Sequence, residues 1–146
     1  MHGREAMKRS LACALVLAAS QAQALCTVTA LPVVFGAYNP LSSQNVDGAG
    51  SVSIACVPAS AYAVSLNTGL GTYSARRMAS GSYSINYNLY VDAARTVVWG
   101  DGSGSTSKVS DSAASAIYPV YGRIPGSQSA AGVGAYSDTI TVTVSF

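Results

Sequence analysis

Tyr136-Ser-Asp-Thr-Ile-Thr-Val-Thr-Val-Ser-Phe146 alternates almost without fault. Ile140, Val142, Val144 and Phe146 fall on one side of an extended chain, and Thr139, Thr141, Thr143 and Ser145 fall on the other. Successive side chains of a strand point to opposite faces, so this period of two sets an apolar row against a core and hydroxyls toward water. The period recurs upstream. Tyr83, Ile85, Tyr87, Leu89 and Val91 oppose Ser82, Ser84, Asn86 and Asn88, and Val52, Ile54 and Cys56 oppose Ser51, Ser53 and Ala55. Cys26, Val28 and Ala30 read as a further inward row, as do Tyr62, Val64 and Leu66. Residues 117–124 are apolar but contain Gly122 and Pro119. A proline lacks the donor a ladder needs, which suits an edge or a bulge.

Turn-forming clusters separate these runs: Tyr38-Asn-Pro40, residues 45–50, 67–71 and 100–104, and Ile124-Pro-Gly126. No stretch sustains a helical period with caps. About six short strands with turns at roughly ten-residue spacing predict an all-β, antiparallel sandwich of one domain.

Composition agrees. Hydrophobic residues make up 49% of the 146 and charged residues 10%, against roughly 25% charged in an average globular chain, which excludes a disordered polyelectrolyte. The net charge is +2, but Arg4, Glu5, Lys8 and Arg9 crowd the N-terminus, and beyond them five cations face five aspartates. No basic surface for nucleic acid results. His2 is the sole histidine and Glu5 the sole glutamate. Histidine-based acid/base catalysis, Ser-His triads, histidine-ligated metals and glutamate pairs are therefore excluded from the rest of the chain.

Lys8 and Arg9 precede the uncharged run Leu11-Ala-Cys-Ala-Leu-Val-Leu-Ala-Ala19, and Ala22-Gln-Ala24 supplies a small-x-small cleavage pattern. Residues 1–24 read as a secretory signal peptide, with Met7 as an alternative start, and residues 25–146 as the exported domain. The apolar run is far shorter than the ~20 residues that span a bilayer, so no transmembrane segment is expected. Leu25 before Cys26 does not fit a lipoprotein site. Cys13 leaves with the signal, and the remaining pair, Cys26 and Cys56, is expected to form a disulfide in an oxidising compartment. Closing that loop is worth about 3.5 kcal/mol in the chain-entropy model.

Candidate chemistry is sparse. Ser105-Thr-Ser-Lys108 has the spacing of serine acyl enzymes, in which a lysine one helical turn away takes the serine proton, but it lies in a glycine- and serine-rich loop. Gly100-Asp-Gly-Ser-Gly104 lacks the lysine of a phosphate loop and the spaced carboxylates of a calcium loop. Arg76, Arg77, Arg95 and Arg123, with Asp92 and Asp111, either bind anionic glycans or solvate a surface, and the second reading is preferred. Trp99 and the tyrosines could stack on sugars, whereas Tyr83 and Tyr87 are expected in the core. No catalytic residue, cofactor or metal site is expected.

Tyr87-Asn-Leu-Tyr-Val-Asp-Ala-Ala-Arg-Thr-Val-Val-Trp-Gly-Asp-Gly102, Val120-Tyr-Gly-Arg-Ile-Pro125 and the 134–146 strand together resemble the spore coat protein U domain family. Cys26-Thr-Val-Thr-Ala30 and Val34-Phe-Gly-Ala-Tyr-Asn-Pro-Leu41 fit the same resemblance, which covers nearly all of residues 25–146. That family includes subunits of archaic chaperone–usher pili. The resemblance implies an immunoglobulin-like sandwich lacking its last strand, which is supplied in trans, first by a periplasmic chaperone and then by a neighbouring subunit. It implies as partners that chaperone, an outer-membrane usher and other pilus subunits, with passage through the periplasm to the cell surface. The groove would run beside Ile140, Val142, Val144 and Phe146.

Polymerising members carry an N-terminal extension before the first cysteine to donate, and here Leu25 alone follows the expected cleavage point. The expectation is a chain that accepts a strand and gives none, at a fibre tip or as a terminating minor subunit. Two alternatives stand beside it. One is a free-standing secreted coat protein. The other is an adhesin presenting aromatics near Trp99 and Tyr73.

Overall fold

The structure, a computed structural model, describes residues 23–146. Except for Gln23 and Ala24, the expected signal peptide lies outside the described residues. Eight strands follow one another: β1 Leu25–Val34, β2 Val46–Val57, β3 Tyr62–Leu66, β4 Arg76–Ser80, β5 Tyr83–Tyr90, β6 Val109–Asp111, β7 Ser115–Ile124 and β8 Val142–Ser145. They form an antiparallel, immunoglobulin-like sandwich with a five-stranded sheet in the order β1-β2-β7-β5-β4 and a three-stranded sheet in the order β6-β3-β8. Among the described residues no helix is long and apolar enough to cross a membrane.

The core is the meeting of the inward rows. Val52, Ile54 and Cys56 of β2, Val64 and Leu66 of β3, Ile85, Tyr87 and Leu89 of β5, and Val120 and Ile124 of β7 are all buried. Each large apolar side chain so buried contributes roughly 1.5–3 kcal/mol. Two strands go beyond the sequence expectation. β6 is only three residues long, too short to show a period. β4 begins with Arg76-Arg77, which reads as surface, yet Ser80 pairs with Tyr83 across the two-residue turn Gly81-Ser82. Gly81 takes φ 58° there, the left-handed conformation such turns need at their first position and glycine adopts without strain.

Three expectations need correction. Val28 is 42% exposed and Ala30 is also exposed, because β1 is the outermost strand and the three-stranded sheet does not extend across it. Tyr83 is 49% exposed rather than in the core. It stands at the end of the β4–β5 hairpin, beyond the facing sheet, with its ring laid against Gly132. The alternating C-terminal stretch forms a ladder only over Val142–Ser145, since its partner β3 ends at Leu66. Farther back, Ser137 bridges to Ala79 of β4 in the other sheet, so residues 137–142 cross from one layer to the other. Pro119 lies in β7 opposite Ser51, outside the Tyr121, Gly122 and Arg123 positions that β5 pairs with. Its flank there is edge-like, as a missing donor requires.

Candidate functional site

Each open sheet has two edge strands, β1 and β4 in one layer and β6 and β8 in the other, and the β1 and β8 edges lie on the same side of the sandwich. Between them runs a cavity of about 1030 Å³. One wall is the end of β1 and the following chain, residues 30–38, and the other is residues 131–142. Buried Val52, Leu66, Met78, Ile85, Tyr87, Leu89, Val120 and Ile124 form its base. Among the described residues, Asp138 is the only charged one along it. An open apolar groove between two unpaired strand edges is the arrangement that accepts an additional strand: main-chain groups on the edges supply hydrogen bonds, and alternate side chains fill the apolar base.

The β1 wall owes its shape to a bulge. The β1–β2 register shifts between Leu31 and Val34, and Pro32, which has no N–H to donate, sits inside the shift. Past it Phe35 turns inward and meets Tyr87 edge-on, with ring centroids 5.9 Å apart. Gly122 makes room for this, since a Cβ at that position would come within 2.6 Å of the Phe35 ring. Tyr38 closes the end of the wall by donating to the Pro125 carbonyl at 2.8 Å.

Of the four residues expected beside the groove, Ile140 and Val142 line it. Val144 sits opposite Val64 and packs on the core, and Phe146, 69% exposed, follows the end of β8. Neither is among the lining residues. The sequence reading missed the opposite wall, 31–38. Its signal was present in Val33 and Phe35, which continue an inward period after a one-residue slip at Pro32.

Arg76 is the largest departure from expectation. Instead of solvating a surface or meeting a glycan, it is fully buried. Counting back from the Gly81 turn puts it opposite Tyr87, on the inward phase. Its Nε and Nη2 donate to the Asn67 carbonyl at 2.9 and 2.8 Å, Nη2 also to the Trp99 carbonyl at 2.7 Å, and Nη1 to Asn88 Oδ1 at 2.7 Å. The guanidinium lies 5.4 Å from the centre of the Tyr73 ring. Burial lowers its pKa, opposed by the neighbouring Tyr87, Tyr73 and Asp138, but a guanidinium remains charged. Trp99 is likewise fully buried, its Nε1 donating to the Val64 carbonyl at 3.0 Å, so it offers no exposed stacking face. Tyr73 is committed to Arg76, and its carbonyl accepts from Asn88 Nδ2 at 2.7 Å.

The other arginines find Asp47 rather than Asp92 or Asp111. Arg123 pairs with Asp47 at 2.7 Å and Arg95 reaches it at 3.4 Å. Asp92 instead closes its own loop by accepting from the Thr96 and Val97 amides, and Asp111 accepts from the Tyr118 hydroxyl at 2.7 Å. Arg77, Ser105 and Lys108 are exposed, the last two in or beside the 100–107 loop, where Thr106 Oγ1 closes the turn onto Ser103. At the groove, burial and then the hydrogen bond to Asp138 push the Tyr87 hydroxyl well above its ordinary range. Cys26 and Cys56, opposed in the β1–β2 ladder, form a disulfide.

Comparison with known proteins agrees with this architecture. The family model "Spore Coat Protein U domain" matches residues 12–143. Protein U of Myxococcus xanthus is 33% identical over 126 residues, 77% of this chain and 70% of that protein. Among solved structures, a chain of the CsuC–CsuE chaperone–tip adhesion subunit pre-assembly complex, from archaic chaperone–usher Csu pili of Acinetobacter baumannii, superposes with a TM-score of 0.60. That likeness, at 24% identity, is one of fold; it covers 85% of this chain but 40% of the other. On the family model, the Protein U match and the groove-bearing sandwich together, the chain belongs to the spore coat protein U domain family.

Proposed function

We propose that the protein is a structural subunit of an archaic chaperone–usher pilus, exported through the periplasm to the cell surface and completed there by a strand from another chain. The observation that carries this reading is the groove: an apolar base of buried side chains left open between the free edges of β1 and β8. An unfilled groove of this kind is an aggregation hazard for a lone chain, and a chaperone strand removes the hazard until a subunit strand replaces it. The usher, and a tip or terminating position, belong to the same proposal. The fold likeness to a complex of a chaperone with a tip adhesion subunit supports the latter. The role is assembly rather than catalysis.

Co-expression with a periplasmic chaperone of the archaic chaperone–usher class tests the reading. A one-to-one complex is expected, and Val142→Asp, which sets a charge in the groove at a cost of several kcal/mol, abolishes it. A soluble monomer that neither needs nor binds a chaperone overturns it. That result would favour a free-standing coat protein, the second reading, which the match to Protein U supports.

A further inference from the structure

We propose that Arg76 is a positioning residue for strand capture: through Asn67 it fixes the 138–142 wall of the groove in an extended register before a donor arrives. The proposal rests on the donor-strand reading above.

Arg76 belongs to the five-stranded sheet, whereas Asn67 follows β3 in the three-stranded one. The two guanidinium bonds to the Asn67 carbonyl, 2.9 and 2.8 Å, therefore tie one layer to the other. Among the described residues no carboxylate pairs with Arg76. Core stability alone does not call for an unpaired buried cation, since an apolar residue of similar volume usually serves as well. What the guanidinium adds is a planar fork that reaches Asn67, Asn88 and Trp99 at once.

Asn67 passes this constraint to the groove. Its N–H donates to the Thr141 carbonyl at 3.2 Å, and its Oδ1 accepts the Thr141 N–H at 3.0 Å. Thr141 lies between Ile140 and Val142, both of which line the groove. Main-chain groups of successive residues in an extended chain point to opposite flanks, so with Thr141 held toward Asn67, those of Ile140 and Val142 face the open side. A second tie secures the other end. Tyr87 donates to Asp138 Oδ2 at 2.6 Å, and Asp138 Oδ1 accepts the Leu70 N–H at 3.2 Å.

These ties act on residues 138–141, a part of the wall between the Ser137 bridge and β8 that no strand ladder holds. Left free, that segment would fold over the apolar base, because doing so removes apolar surface from water. Held extended, it meets a donor without first having to be ordered, which speeds capture.

The test uses the disulfide-bonded exported chain and, as probe, a fluorescein-labelled synthetic peptide with valine at alternate positions and serine between. Asn67 is exposed, so Asn67→Ala removes the Oδ1 acceptor of the Thr141 N–H without opening the core and leaves the main-chain bonds of Asn67 in place, whereas Arg76→Met also disturbs packing. With Asn67→Ala, amide exchange at Thr141 is expected to quicken by about tenfold, the loss of roughly one hydrogen bond. Peptide association slows several-fold while the thermal midpoint stays close to that of the wild type. Asn67→Asp, which keeps an acceptor in place, restores both. Arg76→Lys, which keeps the charge but not the fork, likewise quickens Thr141 exchange and slows association, with a lower thermal midpoint because Asn88 and Trp99 lose donors as well. Unchanged association in Asn67→Ala with a wild type that captures the peptide overturns the proposal alone. A wild type that fails to capture the peptide at all overturns the donor-strand reading and the proposal with it.

Discussion

Arg123 grips both carboxylate oxygens of Asp47, Nε to Oδ1 at 2.7 Å and Nη2 to Oδ2 at 2.9 Å, from directly opposed positions of β7 and β2. That bidentate bond, helped by Arg95, holds the Asp47 carboxyl below its ordinary value of 3.8. A carboxylate whose folded pKa is depressed stabilises the fold above its unfolded value, and that contribution is lost as pH falls through the folded value. Asp47→Asn is therefore expected to lower stability near neutral pH and to make no difference well below the carboxylate range. The pair is more than a third exposed at Asp47, so the loss is about 0.5 kcal/mol, as for solvent-screened pairs. Urea titrations of both proteins at pH about 7 and about 3 check this. An equal difference at both values would count against it.

Cys26 and Cys56 join the edge strand β1 to β2 across a separation of 30 residues. Replacing both with serine is expected to cost about 3 kcal/mol and to expose the β1 amides preferentially, since β1 pairs on one flank only. Denaturant titration measures the first effect and hydrogen exchange the second. Uniform loss of protection across all strands would contradict the local account.

Trp99 is the only tryptophan, and it is buried with its N–H bonded to Val64. Its fluorescence is expected at short wavelength, insensitive to iodide and unchanged by added sugars. Trp99→Phe would leave the Val64 carbonyl without that donor and cost about 1–3 kcal/mol. A quenchable, long-wavelength emission from the native protein would refute the burial.

Ile140 lines the groove and Phe146 does not. Ile140→Asp is expected to abolish chaperone binding, whereas Phe146→Asp, at a largely exposed position, should reduce it less than threefold, equivalent to about 0.6 kcal/mol. Titration of the purified variants with chaperone distinguishes them. Equal losses would move the groove boundary to the chain end.

Strand identity was legible wherever a side-chain period of two ran for several residues. Val52 to Cys56, Tyr62 to Leu66 and Ile85 to Leu89 all bury the set their alternation assigns, because facing a core is a local property of an extended chain. The paired cysteines were legible for the same reason, both lying on inward rows. What the period could not tell is which inward faces find a partner. Val28 and Ala30 point inward and remain exposed, and Tyr83 does the same at a hairpin end, since coverage depends on how many strands the opposite sheet has. Arg76 shows the converse. Its charge reads as surface, yet register from the Gly81 turn carries it inward, where carbonyls from distant loops satisfy it. The groove follows the same division. The sequence supplied its apolar rows, while only the pairing of five strands against three left the β1 and β8 edges unjoined beside the groove, because strand neighbours are chosen by long-range hydrogen bonding that no local pattern encodes.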